Sequence, residues 1–214
     1  MRLERWEIDS GHSGIFFSIR HMALAKVRGQ FTRWAGSLTA EEGDLRCASV
    51  DILIDASSIS TGLEDRDAHL KSADFLHTAA FPEITFQGRA CSHLRGRKLK
   101  LDGELCVLGR SHPMALHVEN TGRTIDPWGR ERASFSAKGC LERKAFGITW
   151  NRPLGAFGFL VGDQVEFEVE VEAVLQEEIG TEGRPARQGA ADQLPFRPGM
   201  GSGRSKTSRT GETK

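Results

Sequence analysis

The chain has 214 residues, 29 Lys and Arg against 29 Asp and Glu, and a formal net charge of +0. That length is enough for one sizeable core, and the neutral balance argues against nucleic acid as the main partner, since phosphate binding needs an excess of cations. Twelve Phe and no Tyr make the aromatic surface apolar, which favours cores and greasy cavities over hydroxyl chemistry.

Residues 13–21 alternate. Ile15, Phe17, Ile19 and His21 fall on one face, with Phe16, Ser18 and Arg20 on the other. A period of two marks a strand with one buried face. This face is apolar along its middle and polar at its ends, as suits the wall of a long apolar slot with a polar group at its mouth. Runs at 27–31 and 34–38 follow, and Val50, Ile52 and Ile54 share a face in the run 48–55. Thr61 with Glu64 three residues on fits a capping box. It predicts a short helix over Glu64–Leu70, with Ser72 capping a further turn through Leu76.

Residues 83–88 read as a strand just past Pro82, and 98–107 alternate strongly. Met114, Leu116 and Val118 mark the next strand, and 133–141 carry Phe135 and Ala137. In the last run, Val165, Phe167, Val169 and Val171 oppose Glu166, Glu168, Glu170 and Glu172. Turns are expected at 42–44, 109–113 and 126–129. Strand after strand with short connections predicts an all-β fold: an antiparallel barrel of about eight strands, with a short helical crossover covering one end. From residue 177 to 214 there are seven Gly, three Pro and few apolar residues. The expected organisation is a barrel over 1–176 and a disordered tail over 177–214.

Motifs for chemistry are missing: there is no HExxH, CxxC, GxSxG or phosphate loop. Cys47, Cys91, Cys106 and Cys140 are read as free thiols, and neither a metal site nor a cofactor is expected. No stretch is long and apolar enough to span a bilayer. The first residues enter the strand pattern at once, so no secretory leader is expected and the cytoplasm is the expected location. Phe17, Ile19, Phe31, Trp34, Leu105 and Phe135 are the candidate inward residues. Each would gain roughly 1.5–3 kcal/mol on full burial, whether against other side chains or against a ligand. His21, at the end of an inward row, is either a site residue or a hydrogen-bonded histidine at the barrel end. Arg66 and His69 lie on one helix face and can offer a cation and an imidazole to a phosphate or carboxylate head group. The competing reading is that Arg66 or Asp67 pins the helix to the barrel through an ion pair.

Several motifs together resemble the YceI-like (polyisoprenoid-binding) family. Trp6-x-x-Asp9-x-x-His12-Ser13 with Phe17 and His21 resembles its opening, and Gly29-x-Phe31 the strand after it. Ile59-x-Thr61-Gly62, Arg66-Asp67-x-His69-Leu70-x-Ser72-x-Asp74-Phe75 and Phe81-Pro82-x-Ile84-x-Phe86 resemble its most recognisable block. Gly103-x-Leu105, Leu108-Gly109-x-x-x-Pro113, Arg143-x-x-Phe146-Gly147 and Gly162-Asp163-x-Val165 follow in order. The resemblance implies an extended, lipocalin-like barrel with a long hydrophobic pore. It implies an amphiphilic lipid ligand, a polyisoprenoid or fatty-acid derivative, bound commonly as a homodimer. The expected function is non-enzymatic binding, with sequestration or transport of that lipid. The wall would be Phe17, Ile19, Phe31, Trp34, Leu105 and Phe135, with His21, Arg66 and His69 at the polar end. Two other readings stand beside it. One is an enzyme acting on such a lipid through His21, Arg66, Asp67 and His69; the other is a filled barrel whose tail recruits a partner.

Overall fold

The computed structural model describes residues 2–179 apart from 23, 43, 156 and 157, and only the backbone of 45–47, 91–95 and 177–179. Each alternating run forms a strand. They are β1 (Leu3–Ile8), β2 (Gly14–His21), β3 (Ala25–Phe31), β4 (Trp34–Glu41), β5 (Asp44–Asp55) and β6 (Ile59–Ser60). After the helix α1 (Glu64–Lys71) come β7 (Glu83–Arg95), β8 (Lys98–Val107), β9 (Arg110–Ile125), β10 (Glu131–Glu142) and β11 (Val161–Ile179).

Neighbours pair antiparallel in the order β1-β4-β5-β7-β8-β9-β10-β11, and β11 pairs back onto β1. This closes an eight-membered ring and removes the free edges that an open sheet would expose. The long β11 meets two partners on one edge. Its C-terminal part takes β1, with Trp6 opposite Leu175, and its N-terminal part takes β2, with Phe17 opposite Phe167. β1 and β2 thus share one place in the ring. β4 and β3 pair with them in turn and share the next.

Several elements differ from the sequence reading, each for a local reason. α1 has no capping box: its N-cap is Leu63, which makes no side-chain cap bond. Gly62, at φ 81°, turns the chain first. Asp67 Oδ1 then accepts from both the amide and the hydroxyl of Thr61, so Thr61 is committed elsewhere. Ser72 does both jobs: its hydroxyl donates to the His69 carbonyl at the end of α1 and accepts from the Asp74 amide, opening the further turn through Leu76. The expected turn at 109–113 shrinks to Leu108 and Gly109, both with positive φ (53° and 67°), a twist that matches the flanking strands. Ser111, His112 and Pro113 belong to β9 and lie opposite Cys106, Leu105 and Glu104. β11 runs on to Ile179, because backbone pairing with β1 continues after the side-chain alternation ends. Residues 177–179 thus continue the strand, and the rest of the expected tail lies outside the described residues. Cys106 and Cys140 are free thiols, whereas the Cys47 and Cys91 side chains lie outside the description.

Candidate functional site

The barrel is not filled. Its bore is a cavity of about 400 Å³, within the roughly 300–1,000 Å³ typical of small-molecule sites. Phe17, Ile19 and His21 on β2, Phe31 on β3, Trp34 on β4, Leu105 on β8 and Phe135 on β10 all lie in its wall. So do Arg66 and His69 from α1. Phe17 and Phe31 pack with ring centroids 5.7 Å apart. Phe17, Trp34, Ile52 and Val169 point inward yet are only partly buried. A solid core would bury such side chains completely; here their remaining surface faces the bore. The expectation of a filled barrel is corrected on this ground; the tail that the same reading invoked lies outside the described residues.

One end of the bore is plugged. Glu4, Trp6 and Ile8 share the inward face of β1, and Trp6 is 1% exposed. The Trp6 indole N–H donates to Glu4 Oε2 at 3.2 Å, and Arg123 lies 4.9 Å from the Trp6 ring centroid. Arg123 also reaches Glu4 Oε1 at 3.1 Å and Glu131 Oε1 at 2.8 Å. Burial works against its charge, but the bonds to Glu131 and Glu4 outweigh that and hold it above the ordinary arginine value. A bulge turns Arg123 onto the inward-facing side of β9, where it stays exposed at the barrel end. Ser134 pairs with Gly122 and Phe135 with Asn120, leaving Thr121 extra and switching the facing of β9.

A second charge cluster lies on the outer face, across neighbouring strands. Arg132 donates to Asp126 and to Asp9, both at 2.9 Å, and pairs with Glu172. Asp9 also meets His12 Nδ1 at 2.9 Å, so His12 braces the turn between β1 and β2. The bonds from Arg132 and His12 hold Asp9 at about 2 against an ordinary 3.8. Burial opposes ionisation of Asp126, but bonds from the Arg130 amide, Arg132 and the Trp128 amide bring it to about 2 as well. Asp9, His12 and Glu172 converge as cation ligands would. Arg132 bonds both carboxylates, so its guanidinium already supplies the positive charge there.

The opposite end is the mouth, formed by α1 and the connection from β10 to β11. His69 packs edge-on against Phe75 and Trp150, with centroids 5.0 and 4.8 Å away. This aromatic trio docks the helix; among the described residues no ion pair ties it to the barrel, contrary to one of the expectations. Arg66 instead donates to Thr61, from Nε to Oγ1 at 2.7 Å and from Nη2 to the carbonyl at 2.9 Å. His69 Nε2 meets Asp74 at 2.9 Å.

A match to the model of the YceI-like domain covers residues 6–173. The chain belongs to the YceI-like family. Protein YceI of Salmonella newport is 33% identical over 168 residues, which are 78% of this chain and 84% of that relative. The solved YCEI protein of Campylobacter jejuni is 25% identical and covers 74% of this chain and 90% of its own, with a TM-score of 0.65. Burkholderia cenocepacia BcnA superposes with a TM-score of 0.68 at 16% identity, covering 77% and 98%. A polyisoprenoid binding domain from Saccharophagus degradans does so with 0.58 at 11%, covering 80% and 98%. The last two likenesses concern the fold alone.

Two mouth residues of this YceI-like domain carried no role in the sequence reading. Arg143, 2% exposed, donates to the carbonyls of Gly162 (2.7 Å), Ile148 (2.7 Å) and Trp150 (2.9 Å) and lies 3.4 Å from Asp163. Burial pushes its guanidinium below the ordinary value. Arg143 braces the β10–β11 connection and so presents Trp150 to the bore. Its only signal was its place in the Arg143-x-x-Phe146-Gly147 motif. Trp150 stands outside any alternating run and gave none.

Proposed function

We propose that the protein binds an amphiphilic lipid, a polyisoprenoid or fatty-acid derivative, with its hydrocarbon in the bore and its polar end at the mouth. The observation that carries this reading is the distribution of chemistry along one cavity. The strand walls are apolar, the far end is packed by buried Glu4 and Trp6, and the charged and imidazole side chains of the wall gather at the mouth. Each buried methylene of a guest gains about 0.8 kcal/mol, so a long chain binds well with few polar contacts. Membership of the YceI-like family supports the same reading. The proposed role is sequestration or transport rather than turnover.

Native mass spectrometry of the freshly purified protein tests it. A co-purifying apolar mass is expected, and Phe17→Asp should remove that mass by placing an unpaired charge on the wall. A homogeneous ligand-free mass, with no uptake of long-chain lipids, would overturn the proposal.

A further inference from the structure

The mouth has an unbalanced charge. Its charged and imidazole wall residues are Arg20, His21, Arg66, His69 and Arg143, and among the described residues no Asp or Glu belongs to the wall. Three acids near it are engaged behind it. Asp67 is bonded to Thr61, Asp74 to His69, and Asp163 to Lys144 and Arg143. Arg143 is spent on backbone carbonyls, and Arg20 is exposed at the rim, close enough to influence Glu166.

Arg66 differs from these. It is half-buried in the wall, and its described bonds go only to the neutral hydroxyl and carbonyl of Thr61. Those bonds are themselves fixed. The Thr61 hydroxyl donates to Asp67, which leaves its lone pairs for Arg66 Nε. The guanidinium is therefore held in one orientation while keeping its full charge. Asp67 balances this cation only through the shared Thr61 hydroxyl, with no direct ion pair, so the guanidinium donors that Thr61 does not occupy stay available at the cavity wall. A planar guanidinium with free donors matches carboxylate or phosphate oxygens.

We propose that this mouth selects amphiphiles with an anionic head group, a carboxylate or a phosphate ester, and that Arg66 receives that group. The proposal rests on the lipid-binding reading above and deepens it. The chain below the head supplies affinity; Arg66 supplies the preference for negative charge. Pre-orientation by Thr61 lowers the ordering cost of that contact.

The test uses the full chain and a series with one chain length: dodecanoic acid, dodecyl phosphate, dodecanol and inorganic phosphate, each competed against a bound fluorescent lipid. The acid and the phosphate ester should bind about ten- to a hundredfold tighter than the alcohol, the scale of a hydrogen bond to a charged group. Inorganic phosphate should not compete at matching concentration. Arg66→Met should bring the acid-to-alcohol ratio close to one, Arg66→Lys should restore part of it, and Thr61→Val should reduce it while the charge stays. Equal binding of acid and alcohol by the wild type overturns this proposal and leaves the lipid reading standing. Uptake of none of the amphiphiles overturns both. Competition by inorganic phosphate as strong as that of dodecyl phosphate also overturns it, because the site would then read a free anion rather than a lipid head.

Discussion

The two ends of the barrel hold similar residues to opposite effect. At the plugged end Arg123 faces Glu4 and Glu131, and the acid buried there is matched by a cation and an indole N–H. At the mouth Arg66 has only Thr61, and its carboxylate neighbour Asp67 is turned onto that same threonine. Directly paired charge packs one end; at the other, a cation that meets its carboxylate only through a hydroxyl keeps donors for a guest. The same residue type is structural in one place and available in the other, and the difference lies wholly in what faces it.

The largest expected effect breaks the plug. Arg123→Leu leaves Glu4 buried without its cation and should cost about 3–5 kcal/mol of stability. Glu4→Gln in the same chain should recover much of that loss, because the stranded charge is then gone. Chemical denaturation of the single and double variants measures both. Equal destabilisation in the two would mean that the pair does not close the floor as a unit.

Gly29→Ala probes the wall between the ends. A Cβ there would stand 2.3 Å from Phe17 Cζ and 2.8 Å from the Ser60 carbonyl. Overpacking of that kind costs about 1–3 kcal/mol, and Phe17→Leu should relieve part of it by shortening the ring side. A melt of the three variants decides the matter.

Acid should act on the outer cluster. Asp9 and Asp126 sit at about 2 in the folded chain against an ordinary 3.8. A depressed folded pKa adds stability that is complete above about pH 4 and is lost as pH falls toward about 2. The melting temperature should therefore drop across that window, and Asp9→Asn should flatten the drop while lowering stability at neutral pH. The smallest effect belongs to the mouth. Arg66→Met loses two bonds to neutral acceptors and should cost about 1 kcal/mol, far less than Arg123→Leu, while its head-group preference changes most.

Much of the wall was legible from residue order. Alternation placed Ile15, Phe17 and Ile19 on one face and the β11 valines on another, and all of them line the bore. Strand ends were less legible, because β11 keeps its partner after its valines stop. The plug was not legible at all. Glu4 and Arg123 are 119 residues apart, and the bulge at Thr121 reverses which residues of β9 face in. Residue order leaves Thr61 as a cap and Arg66 open between a head-group contact and an ion pair, since spacing along a helix says which side chains are neighbours and nothing of which acceptor each one takes.

The sequence by itself determined an antiparallel barrel with an oily inner face, because a period of two reports which side of each strand is hidden from water. Only the tertiary structure decided that the hidden side surrounds an open bore, which end buried side chains pack and which cation has no direct carboxylate partner. Those depend on ring closure, on a one-residue bulge and on pairings between distant strands, and burial periodicity is blind to whether a side chain faces another side chain or a cavity.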